Sequence, residues 1–100
     1  MILPEGLLAD VKSYLRITWQ DEDTDKNLTG IIKRGMKRLE KIAGASLIFT
    51  EEDLPRQLLL DYCRYANNFD IELFEKNFQS ELMSLNLDYQ VAAMESDASG

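Results

Sequence analysis

The sequence predicts an all-α protein: a small bundle of about four helices, with an extended C-terminal arm. Apolar residues recur at three- and four-residue intervals over most of the chain, and proline, aspartate and glycine sit where such helices begin and end. Only after Leu85 does a two-residue alternation replace that rhythm. With 100 residues there is room for one core, and 45% hydrophobic against 29% charged residues is too apolar for a disordered chain. The expected division is a helical domain over residues 1–85 and an extended or disordered arm over residues 86–100.

The first helix is expected over residues 4–15, with Leu7, Leu8, Val11, Tyr14 and Leu15 on one face and Pro4 at the start, where a missing N–H costs nothing. Residues 16–20 include the β-favouring Ile17, Thr18 and Trp19. They lead into the acids Asp21, Glu22, Asp23 and Asp25, read as a loop feeding a helix start, since carboxylates suit the positive end of the helix dipole.

The second helix is the clearest element. Leu28, Ile31, Ile32, Gly35, Met36, Leu39, Ile42 and Ala43 form its apolar stripe, and Gly44 ends it. Gly30 and Gly35 each cost about 1 kcal/mol relative to alanine inside a helix, and the position of Gly35 on the stripe predicts close approach of a neighbouring helix.

After a short apolar connection over residues 45–49, an acidic lead-in and Pro55 open a third helix with the stripe Leu58, Leu59, Tyr62, Tyr65, Ala66 and Phe69. Asn67 and Asn68 weaken its end. Asp70 can cap a fourth helix with Ile71, Phe74, Phe78, Leu82 and Leu85 inward, joined to the third by a tight bend or as one kinked helix. From Leu85 onward, Leu87, Tyr89 and Val91 alternate with Asn86, Asp88 and Gln90, as in a strand with no mate in the chain. Glu95 to Gly100 read as a disordered end.

Charge is segregated. The net charge is −7, yet residues 26–41 hold Lys26, Lys33, Arg34, Lys37, Arg38 and Lys41 against the single acid Glu40, so this stretch is +5 and the remainder −12. The average argues against wholesale capture of nucleic acid or an anionic membrane. The basic row itself has three readings: a solvated helix face, a protein contact, or a phosphate contact. Trp19 reads either as an interface anchor or as a partial core residue. A basic face on one copy can also meet an acidic face on the next, a head-to-tail contact that closes into a ring when the rotation permits.

No catalytic residue, metal site or cofactor is expected. The chain has no histidine to activate a serine or Cys63, which lies beside the third helix's stripe and reads as a small apolar residue. Asp21, Asp23 and Asp25 have the first spacings of a calcium loop, but Lys26 stands at its glycine position and Ile32 at its bidentate glutamate. Glu51 and Glu52, adjacent at a helix start, point apart. A single cysteine, no basic leader and no long apolar run predict a cytosolic chain with no membrane partner.

The order of elements resembles the small head-tail connector, or head-completion adaptor, proteins of tailed bacteriophages. The resemblance covers residues 5–70: the opening helix running into VKSYLRI, the acidic TWQDEDTD, the long helix NLTGIIKRGMKRLEKIAG ending at glycine, and LPRQLLLDYCRYANN. Its most specific part is Tyr14, Leu15, Arg16 and Ile17 followed by acids and a long helix. The sequence departs from the family pattern at Trp19 and in the glycines of the long helix.

The resemblance implies a virion protein, made in the host bacterial cytoplasm, that assembles as a dodecamer-like ring beneath the portal protein. Such a ring surrounds the DNA channel without sequence-specific binding and presents a surface to a downstream tail or stopper protein. Lys33, Lys37, Arg38, Lys41 and Trp19 are the expected subunit or partner contacts, and Leu87, Tyr89 and Val91 are expected to dock the arm on the portal. The alternative is a small helical DNA-binding regulator using the basic helix over residues 26–41.

Overall fold

The computed structural model describes residues 3–99, with side chains placed through residue 91. The helices are α1 Leu7–Tyr14, α2 Glu22–Ala43, α3 Leu54–Asn67, α4 Ile71–Asn77 and α5 Gln79–Ser99, and no strand occurs among the described residues. The all-α expectation holds, with five helices where about four were expected.

The first helix begins three residues later than Pro4 promised. Gly6 adopts a left-handed conformation (φ 82°) and Leu7 N–H donates to the Pro4 carbonyl, so the chain turns before it coils. Before α2, the Asp21 carboxylate accepts from the Thr24 backbone N–H (3.2 Å) and hydroxyl (2.8 Å), an N-cap that satisfies one otherwise orphaned donor. Those bonds, the hydroxyl's foremost, hold the Asp21 carboxyl below the usual carboxylate range. Glu22, Asp23 and Asp25 therefore lie in the first turn of α2 and not in a loop, facing the positive end of its dipole. Gly44, left-handed at φ 72°, ends the helix.

At about 33 Å, α2 is the central strut against which α1, α3 and α5 pack. Leu28, Ile32 and Leu39 from α2 meet Val11, Leu58, Leu59, Phe74 and Leu85 in one continuous core. Gly35 makes the α2–α3 contact possible: a Cβ there would stand 2.7 Å from Tyr62 Cδ1 and 2.9 Å from Leu59 Cδ1, closer than carbon atoms pack. Polar ties fix α1 in place, with Lys12 to Asp25 at 2.8 Å on α2 and Asp10 to Arg56 at 3.1 Å on α3. Arg56 also reaches the Phe49 carbonyl, fastening the connection over residues 45–49. Tyr62, Tyr65, Phe74 and Phe78 meet edge to face or stacked, with ring centres 5.2–6.0 Å apart, and lock α4 onto α3.

The expected fourth helix is two. Phe78 leaves helical geometry (φ −109°, ψ 23°), although its N–H still donates to Phe74 and its carbonyl still accepts from Leu82, so the break is a bend. The tight bend expected between the third and fourth helices is present at Asn68 and Phe69. Phe69 does not belong to the stripe of α3, because that helix ends at Asn67 and a left-handed turn (φ 61°) carries the ring outward.

The C-terminal arm is not extended: α5 continues through Ser99, and only Gly100 of the segment expected to be disordered lies outside the described residues. Alternation misleads here because apolar residues two apart on a helix fall about 200° apart, building two stripes. Leu82, Leu85, Asn86 and Tyr89 face inward, while Met83, Leu87 and Val91 face solvent. A helix pairs its own backbone groups, whereas a strand without a mate would leave them unpaired.

Candidate functional site

The basic row of α2 forms one wall of a groove whose other wall is α3 and α4. Arg34, Lys37, Arg38 and Lys41 line it with Tyr62, Ile71 and Glu75, around a volume of about 410 Å³. A second hollow of about 540 Å³ continues from it, sharing Arg34, Tyr62 and Ile71 and reaching Ile31, Ala66 and Phe69. Glu75 engages Arg38, so it anchors that guanidinium against α4. Among the described residues Arg34, Lys37 and Lys41 make no ion pair, leaving the groove strongly positive.

Of the residues expected to make contacts, Lys37, Arg38 and Lys41 are thus brought together. Lys33 does not line the groove: on α2 it stands at one end of the basic arc, about 40° from Lys37 and about 140° from Arg38, and is half-buried. Trp19 is exposed before α2, its indole N–H donating to the Thr24 hydroxyl at 3.4 Å, and it is neither core nor part of the groove. Leu87 and Val91 share the outer face of α5, whereas Tyr89 packs inward against the core.

Two features of these surfaces were not legible beforehand. Phe69 is 89% exposed beside the hollow that adjoins the groove and is held left-handed by a helix-stop motif in which Asp70 N–H donates to the Tyr65 carbonyl at 2.9 Å. Glycine or asparagine is the ordinary occupant of that position, and the run Asn67, Asn68, Phe69 without a glycine was the available signal. Met83, 60% exposed, joins Leu87 and Val91, each 51% exposed, at spacings of four residues to make an apolar stripe. That stripe is hidden in the sequence because Leu85, Leu87, Tyr89 and Val91 alternate as a strand does. Beside it, Met83 and Leu82 border an open hollow of about 630 Å³ with Ile42, Gln79 and Asn86.

The buried polar centre lies elsewhere. Asp61, 5% exposed, accepts from Tyr14 Oη (2.6 Å), Gln57 Nε2 (3.0 Å) and Arg64 Nη2 (3.4 Å), a satisfied network joining α1 to α3. Burial, then the adjoining Asp61 carboxylate, raises the Tyr14 phenol above its usual range. Cys63 is fully buried and its thiol is pushed up to about 12 by desolvation, the condition of a packing residue and not of a nucleophile. No group of three or more His, Cys, Asp or Glu side chains among the described residues gathers as it would round a metal ion. No helix among the described residues is long and apolar enough to cross a membrane.

Compared with protein-family models, with curated proteins and with solved structures, the chain matches none. What its surfaces offer chemically is recognition: a positive groove, an exposed aromatic beside the hollow that adjoins it, and an apolar stripe on a helix without a single basic residue.

Proposed function

We propose that the chain is a structural adaptor of a tailed-phage virion, a head-tail connector subunit that assembles as a ring on the portal protein and links the DNA-filled head to the tail. The observation that carries this reading is the presence, on one small domain, of two uncovered helix faces of opposite character. One is the cationic groove of α2, the other the apolar stripe of α5, whose 21 residues include Glu81, Asp88, Glu95 and Asp97 and no lysine or arginine. Surfaces of that kind on different parts of one subunit make head-to-tail assemblies. The order of helices supports it further through the family resemblance, and the chain's overall acidity suits a channel through which DNA slides without sticking. In this reading the protein performs no chemistry and needs no cofactor, and a tail or stopper protein is its other neighbour.

The basic row favours a second reading, a helical DNA-binding regulator that sets Arg34, Lys37 and Lys41 against phosphates. It requires duplex affinity that falls steeply with salt. Native mass spectrometry of the chain over a concentration series, with and without a short duplex, separates the two. A discrete large oligomer free of DNA is expected; a monomer or dimer carrying DNA, or a chain that stays monomeric throughout, overturns the adaptor reading.

A further inference from the structure

We propose that the cationic groove between α2 and α4 is the seat for α5 of a second copy of this chain, with Phe69 as the aromatic anchor of the contact. The inference deepens the adaptor reading and rests on it for the existence of self-assembly.

Phe69 supplies the first argument. A bulky residue with φ 61° strains the backbone, and the position offers the side chain nothing in return, because the ring is 89% exposed. A glycine would end α3 equally well. An exposed aromatic retained at a strained position, lining with the half-open Ile71 and Arg34 the hollow from which the cationic groove continues, has the composition of an interface centre with a charged rim.

Charge and shape name the occupant. The groove demands a helix that is apolar on one side and acidic beside it, and α5 is such a helix: Met83, Leu87 and Val91 in line, Asp88 flanking them, no cation along its length. It is also reachable. The Asn86 side-chain amide donates to the Ile42 carbonyl at 2.8 Å near the end of α2, and residues 87–99, about 20 Å of helix, follow that hydrogen bond. Two α5 helices would not pair with each other comfortably, since each carries acids only. Groove and stripe are different surfaces, so the contact is head-to-tail, leaving one free groove and one free α5 at every stage until a ring closes.

Sedimentation velocity on the full chain tests this with two variants whose substitutions all lie at exposed positions. The groove variant carries Lys37→Glu and Lys41→Glu; the stripe variant carries Leu87→Ser and Val91→Ser, which remove the apolar contact without supplying a charge complementary to the altered groove. Each alone is expected to weaken self-association by on the order of a hundredfold with helical content unchanged. Mixed in equal amounts, they are expected to form a one-to-one dimer that grows no further, because one intact groove and one intact stripe remain between them. Phe69→Gly is expected to weaken association while raising the melting temperature, which a purely structural phenylalanine would not do. Variants that assemble like the wild type, or a mixture that forms no dimer, overturn this contact while leaving the adaptor reading standing. A wild-type chain that stays monomeric at every concentration overturns both, and leaves the groove to an acidic helix of another protein.

Discussion

The phenol of Tyr14 donates a 2.6 Å hydrogen bond to Oδ1 of Asp61, across 47 residues of sequence, and so holds the end of α1 on the flank of α3. Asp61 is the only buried charged residue among the described residues, and Gln57 and Arg64 donate to it as well, so that both of its oxygens are engaged. Tyr14→Phe should cost about 1 kcal/mol and Asp61→Ala about 2 kcal/mol, measured by urea unfolding. Their double mutant should fall short of the sum, since the two groups share one bond.

The same pair sets a pH dependence. Because the folded Tyr14 phenol titrates above the ordinary 10.0, its proton is held more tightly in the folded state than in the unfolded one. Its contribution is fully present below pH 10 and is lost as pH rises from there through the folded value. Unfolding midpoints should decline over that window, and less steeply in Tyr14→Phe.

The two interior glycines of α2 should respond in opposite directions. Gly35→Ala drives a Cβ into Tyr62 and Leu59 and should destabilise by about 2 kcal/mol. Gly30→Ala meets only the flexible tip of Arg34, at 3.3 Å, and should stabilise by about 1 kcal/mol. Thermal unfolding of the two variants distinguishes close packing from simple helix propensity.

On α5, leucines two residues apart should behave differently. Leu85 is fully buried and Leu87 half exposed, so Leu85→Ala should cost about 3 kcal/mol and Leu87→Ala under about 0.5 kcal/mol. Comparable losses at both positions would contradict the helical assignment of this segment.

Cys63 should be silent in the folded protein. With the thiol buried and its pKa pushed up to about 12, alkylation at neutral pH should proceed only through unfolding, and its rate should track stability across the variants above. Rapid labelling of the native chain would show that α3 opens locally.

The stripe of α2, its end at Gly44, the acidic lead-in and proline that open α3 and the need for a close neighbour at Gly35 were all legible in the chain itself. Each depends on a residue's own preference or on a period of three to four residues, and such information is local. The basic row was legible for the same reason. Its division was not: Lys33 stays outside the groove while Arg34 joins Lys37, Arg38 and Lys41, because only the position of α3 and α4 decides how much of the basic arc becomes a wall.

Long-range geometry decided the rest. Residues 85–91 satisfy both a two-residue and a four-residue apolar rhythm, and packing of Leu82, Leu85 and Tyr89 on the core, with no strand among the described residues to pair against, selects the helix. Phe69 fits a continuation of the α3 stripe until the bend at Asn68 ends that helix and turns the ring to solvent. Nothing local in the sequence singles out Asp61 among the acids, and it is the joint between α1 and α3 only because the fold brings Tyr14 to it. Local preferences thus set where this chain coils, while burial against distant residues decides which faces remain open for a partner.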